Sequence, residues 1–208
     1  MLLMSISGSG RHPVMNGRGA HMADPKISLD WAKFVAMVHY VCNSVSDDPT
    51  KLGAVKLQKI LWNSDREAYL RLGHPISGAG YVKMQRGPAA PKLNDALAEL
   101  EANGRLVTSD IPRGPHRQKL FLSMRAADPS VFSQDELAII DHWIRKILPK
   151  TAAKASDDSH DLTWEIYELG ETIRYESAFV SSEGEADPDQ LQEAKLAIMK
   201  ADAAGGAW

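Results

Sequence analysis

Apolar residues recur every three or four positions along most of this chain, so the pattern predicts helices far more often than strands. A first helix is expected from Ser28, read as its N-cap, to about Val45, with Trp31, Phe34, Val35, Val38, Val41, Cys42 and Val45 on one face. The Asp47-Asp48-Pro49 cluster breaks it. A second helix is predicted over about Thr50 to Leu72, burying Leu52, Val55, Leu57, Ile60, Leu61, Ala68 and Leu72, with Gly73 as a left-handed stop. Tyr81 to Gln85 reads as a short extended piece ended by Gly87-Pro88. Pro91 opens a third helix along Leu93, Ala96, Leu97 and Leu100, and Asn103-Gly104 closes it.

Two short extended runs follow, Arg105 to Thr108 and Gln118 to Leu122, separated by Ile111-Pro112-Arg113-Gly114-Pro115, which predicts a β-hairpin with a long, exposed, basic tip. The fourth helix has the strongest start, because Ser133 and Glu136 are spaced as a capping box, and it must stop at Pro149. A fifth helix is expected from about Ser159 to Leu169, ended by Gly170 and followed by an extended Ile173 to Phe179. The composition then turns acidic and polar from Ser181 to Pro188, which predicts a linker before a terminal helix at Asp189 to Ala201. The fold class expected is mainly α with a small β part (α+β): a compact domain of five to six helices, a small β-hairpin and a flexible C-terminal helical tail.

Residues 1–21 show no apolar periodicity and end in His21 before Met22, so they are expected to be a disordered vector-derived remnant. The division that follows is 1–21 remnant, 22–180 helical domain, and 181–208 acidic linker and helical tail. The chain is 44% apolar and 25% charged, ordinary globular values, with no run of about 18 apolar residues that could cross a bilayer. Cys42 is the only cysteine, which fits a reducing cytoplasm. Setting aside Arg11 and Arg18 takes the formal charge from −3 to −5, which works against a sequence-independent grip on nucleic acid.

Chemistry is sparse in this pattern. The histidines outside the first stretch are His39, His74, His116, His142 and His160, and pairs such as His142 with Asp141, or His160 with Asp157 and Asp158, could be drawn as metal or general-base sites. A helical metal site wants ligands three or four apart, and beside His142 and His160 no second histidine or cysteine stands at that spacing. Gly78-Ala79-Gly80 is glycine-rich but is followed by no helix N-terminus to cradle a phosphate. No catalytic residue, metal or cofactor is therefore expected. A winged helix is the rival reading, with Arg113, His116, Arg117 and Lys119 on phosphates from the hairpin. The exposed side of the third helix carries Asn94, Asp95, Glu99 and Glu101, and carboxylates facing a polyanion repel it.

Several short blocks occur in an ordered succession: Lys56-Leu57-Gln58-Lys59-Ile60-Leu61-Trp62, Ala68-Tyr69-Leu70, Gly73-His74-Pro75-Ile76, Arg86-Gly87-Pro88 with Pro91, then Ser159-His160, Trp164, and Gly170 with Ile173. This succession resembles the Panacea domain of the SocA-like antitoxins over about Leu29 to Val180. Trp62 stands where that family often has Tyr, and Ala89 where it often has Val or Ile. The resemblance implies a largely helical bacterial antitoxin that neutralises a cognate toxin protein by direct contact, and a related role as an adaptor delivering the toxin to a protease or its unfoldase. Leu57, Gln58, Gly87, Pro88, His160 and Trp164 are expected to be structural motif residues. The expected contact surface is Lys56, Lys59, Arg66, Tyr69, Tyr81, Lys83, Gln85 and Arg86, in a groove between the second helix, the Tyr81 to Arg86 segment and the following helix, since Tyr and Arg give large contact area at low entropic cost. No membrane partner is expected.

Overall fold

The computed structural model describes residues 27–179 and Leu196. The expected remnant at 1–21, the linker at 181–188 and, apart from Leu196, the terminal helix at 189–201 lie outside the described residues.

The first helix, α1 (Trp31–Asn43), is capped by Asp30 rather than Ser28: the Asp30 carboxylate stands immediately before the helix and accepts from Lys33 N at 3.0 Å. It stops two residues short of Val45, because Ser44 and the residues after it turn away. The second helix, α2 (Ala54–Leu72), also begins later than expected. Pro49–Lys51 form a separate 3-10 turn, and Gly53 at φ +141° adopts a conformation closed to side-chain-bearing residues, so Thr50 to Gly53 cannot join the helix. Gly73 at φ +80° closes α2 as expected, its N–H reaching Tyr69 O.

A two-residue strand β1 (Tyr81–Val82) pairs antiparallel with β4 (Thr172–Ile173), in the register Tyr81 with Ile173 and Val82 with Thr172. Then come α3 (Leu93–Ala102) and the hairpin β2 (Leu106–Arg113) with β3 (His116–Ser123). The hairpin differs from expectation: its strands run up to a two-residue turn, Gly114 and Pro115, and no long tip remains. Pro112 is tolerated inside β2 because its pair with Arg117 adjoins the closing pair, a non-hydrogen-bonded position whose missing N–H would have pointed outward.

α4 (Gln134–Ile147) carries the capping box, with Ser133 Oγ accepting from Glu136 N and Glu136 Oε2 accepting from Ser133 N. Of the helix expected at Ser159 to Leu169 only a single turn forms, α6 (Leu162–Glu165), and a short helix that the sequence reading did not foresee, α5 (Ala152–Asp157), precedes it. Thr151 caps α5 and Asp161 caps α6, and the extended backbone at Asp161 interrupts the helical path between them. Of the expected extended Ile173 to Phe179 only Ile173 is strand, as the second residue of β4; Tyr175–Ser177 is a 3-10 turn. The architecture is mainly α with two small antiparallel sheets, as expected.

One apolar core joins α1 to α5 and both sheets, with Phe34, Leu57, Ile60, Leu61, Trp62, Tyr81, Phe121 and Ile140 at its centre. α2 runs through it, packed on α1, α4 and α5. From Lys59 to Asp65 every residue of α2 is buried, so this helix is covered around its whole circumference there. Among the described residues no helix is long and apolar enough to cross a membrane.

Candidate functional site

The short blocks singled out in the sequence converge around the middle of α2. Lys59 projects from it and is only 1% exposed. Its Nζ donates to Pro88 O at 2.9 Å, and among the described residues no carboxylate pairs with it. Burial alone therefore pushes its pKa down to about 7. Gly87 allows this approach: it sits at φ +85°, and a Cβ there would collide with Ser159 Oγ and Lys59 Nζ. Ser159 Oγ donates to Ser156 O at 2.6 Å, so the hydroxyl is held at the end of α5. Gln58, one residue back on α2, brackets the next segment by accepting from Ala90 N at 2.8 Å and donating to Ala90 O at 3.4 Å. Gln58, Gly87 and Pro88 thus join α2 to the 84–90 turn, and Leu57 is fully buried core.

Above this junction lies a cationic and aromatic stack. His160 lies parallel to Trp164, centroids 3.9 Å apart, and Lys83 Nζ stands 3.8 Å over the Trp164 ring. The same ammonium donates to Tyr167 O at 2.6 Å, and Trp164 Nε1 donates to Met84 O at 3.3 Å. His160 Nε2 is buried with no hydrogen-bond partner among the described residues.

A second polar cluster, unforeseen from the sequence, surrounds Asp65. Its carboxylate accepts from Ser77 N at 2.7 Å, Ser77 Oγ at 2.6 Å and Tyr81 OH at 2.8 Å. Desolvation raises the Asp65 pKa, opposed by those hydrogen bonds. Tyr175 OH donates to Ala79 O at 2.6 Å beside the same carboxylate, and burial with that negative charge pushes both tyrosines well above their ordinary value.

The eight residues expected to form a contact surface do not share one. Lys59, Tyr81 and Lys83 point inward, and the groove expected between α2 and the 81–86 segment is filled by Lys59, Tyr81 and Gln58. Lys56 is half-buried and donates to Lys51 O and Leu148 O, holding the C-terminus of α4. Arg66 pairs with Asp161 at 2.5 Å, and the half-buried Tyr69 ring rests against Tyr175. Only Gln85 and Arg86 stand exposed. Their neighbours Met84 and Leu169, exposed and apolar, are the surface residues that sequence reasoning missed.

The remaining histidines are spread over the fold. His39 is buried with Nε2 3.2 Å from Ser123 Oγ, its pKa lowered by desolvation, beside a cavity of about 310 Å³ between α1, the end of α3 and Asp128 to Val131. His74 and His116 are exposed, and His142 packs edge-on to Trp143. Asp141 accepts from Tyr40 OH, and Asp158 pairs with Lys150 and Lys154. Among the described residues no three His, Cys, Asp or Glu side chains are grouped to hold an ion. On the rival surface, Glu99 accepts from Trp31 Nε1 and Glu101 from Thr108, so these α3 carboxylates are engaged within the fold, while Arg113, His116 and Arg117 are exposed on the hairpin and Lys119 is half-buried.

Neither the curated proteins nor the solved structures give a match to this chain. A family model described as the SocA-like antitoxin, Panacea domain, matches residues 57–165, more than half the chain, and that span runs from the buried face of α2 to the end of α6. The junction of Lys59, Gly87, Ser159 and Trp164 lies within the matched span, and the chain belongs to the SocA-like antitoxin family defined by the Panacea domain.

Proposed function

We propose that the protein is an antitoxin that neutralises a toxin by direct protein–protein contact in the cytoplasm, without a covalent step. The observation that carries this is the family match over 57–165, whose motif residues are spent on building the domain. Lys59, Gln58, Gly87 and Ser159 fasten α2 to the turns around it, and Lys83 with Trp164 fastens the turns to one another. A scaffold fixed by internal hydrogen bonds presents its outer turns already in place, which lowers the ordering cost of binding. Delivery of the bound toxin to a protease is a further part of this proposal and rests on the family alone.

The test is co-expression with the product of the adjacent gene. Joint purification, together with rescue of growth when that product is toxic, is the expected result; a neighbour that is toxic and neither bound nor neutralised refutes the reading. DNA contact through the hairpin has the exposed Arg113, His116 and Arg117 in its favour. It requires binding to the chain's own promoter that weakens steeply with salt, with a shallower slope after Arg113→Ala with Arg117→Ala.

A further inference from the structure

Single exposed apolar side chains are ordinary, but a cluster of them on a fixed backbone calls for an occupant. Leu169 is 60% exposed and Met84 48% exposed, among the most exposed large apolar residues described. The turns that carry them are held together, because Gly170 N donates to Lys83 O at 2.8 Å and Lys83 N to Glu171 O at 2.9 Å just beyond β1 and β4. Trp164 completes the cluster, its indole N–H held by Met84 O. These turns are braced from beneath by the Lys83 ammonium, which spans Trp164 and Tyr167 O. The patch therefore needs no rearrangement to receive a partner.

Its charge is one-sided. Glu165, Glu168 and Glu171 are exposed around Leu169, whereas Lys83 is turned inward and Arg86 is the only exposed cation of the 84–86 turn. An apolar centre with a mainly acidic rim complements an apolar side chain flanked by lysine or arginine. Building on the antitoxin reading, we propose that Met84, Trp164 and Leu169 form the toxin-docking surface and that the toxin segment seated there is apolar and basic. The surface is distinct from the one expected from sequence; only Gln85 and Arg86, at its edge, belong to both.

The test titrates the purified adjacent gene product against the wild-type chain, Leu169→Glu, Met84→Glu, Glu165→Lys, and Val107→Glu as a control on the hairpin. All four positions are exposed, and circular dichroism melts verify that the variants fold. Leu169→Glu and Met84→Glu should each weaken binding about tenfold or more, as loss of a central apolar anchor does. Glu165→Lys should weaken it about threefold at low salt and less at high salt, since a rim charge acts through screened attraction. Val107→Glu should stay within about twofold, as peripheral contacts do. A wild-type complex that survives Leu169→Glu and Met84→Glu unchanged overturns this surface while leaving the antitoxin reading intact; a wild-type chain that forms no complex overturns both. If these variants instead split a dimer of this chain and spare toxin binding, the patch is a self-association face and the proposal fails.

Discussion

Two ionisable groups are buried on the same helix, six residues apart, and they are treated in opposite ways. Asp65 receives two hydroxyls and a backbone N–H, all between 2.6 and 2.8 Å. Lys59, with three protons to donate, is given one carbonyl. A buried charge becomes a brace when its bonds are complete, and stays a cost when they are not. The Asp65 cluster therefore reads as the part that specifies how α2, the 77–81 segment and Tyr175 meet. The Lys59 junction is an economy of space, in which an amine fits only because Gly87 has no side chain.

The sharpest way to break this contrast is Asp65→Ala, which strands Tyr81 OH, Ser77 Oγ and Ser77 N in the interior; we expect a loss of about 3–5 kcal/mol in urea unfolding. A loss under about 1 kcal/mol would mean that water replaces the carboxylate and that Asp65 is no brace. Next in size is Gly87→Ala, expected to lower stability by about 2–4 kcal/mol through a left-handed backbone and overpacking against Lys59 and Ser159, read from thermal melts. Gln58→Ala removes the amide that brackets Ala90 and should cost about 1 kcal/mol.

The smallest effect at neutral pH belongs to Lys59→Met, within about 1 kcal/mol of wild type, because an apolar replacement of a poorly compensated charge is nearly neutral. If this variant loses more than Gln58→Ala, the ammonium and not the amide holds the junction. Its signature lies in pH. The folded pKa near 7 is below the ordinary 10.5, so between those values the unfolded chain binds the extra proton. Wild-type stability should accordingly gain a rising contribution from about pH 7 to 10.5 that Lys59→Met lacks, measured as the difference between the two urea midpoints. Asp65 has the reverse sign: its raised pKa subtracts stability as pH climbs just above 3.8.

What the sequence made legible was local. The capping box of Ser133 and Glu136 and the stop at Gly73 are signals contained within a turn or two of chain, and both stand as read. Even locally, Asp30 was overlooked in favour of Ser28, because two capping residues two apart compete and only the backbone decides. The misplacement of Lys59, Tyr81 and Lys83 has a longer-range cause. A helix with one apolar stripe is expected to show its lysines to water, but α2 is enclosed on all sides from Lys59 to Asp65 by elements from residue 34 to residue 175. No spacing within α2 announces that enclosure. The exposed patch was missed for the same reason, since the turns that carry Met84 and Leu169 are held together only through the pairing beyond β1 and β4.

That pairing also bears on how the protein is made. Tyr81 cannot find its partner Ile173, nor Lys83 its carbonyl at Tyr167, until nearly the whole domain has left the ribosome. Until then the nascent chain holds an unsealed interior, with Trp62 and Tyr81 lacking the cover of Tyr175. Translation that stalls before residue 172 should thus leave a product that cellular proteases readily clear.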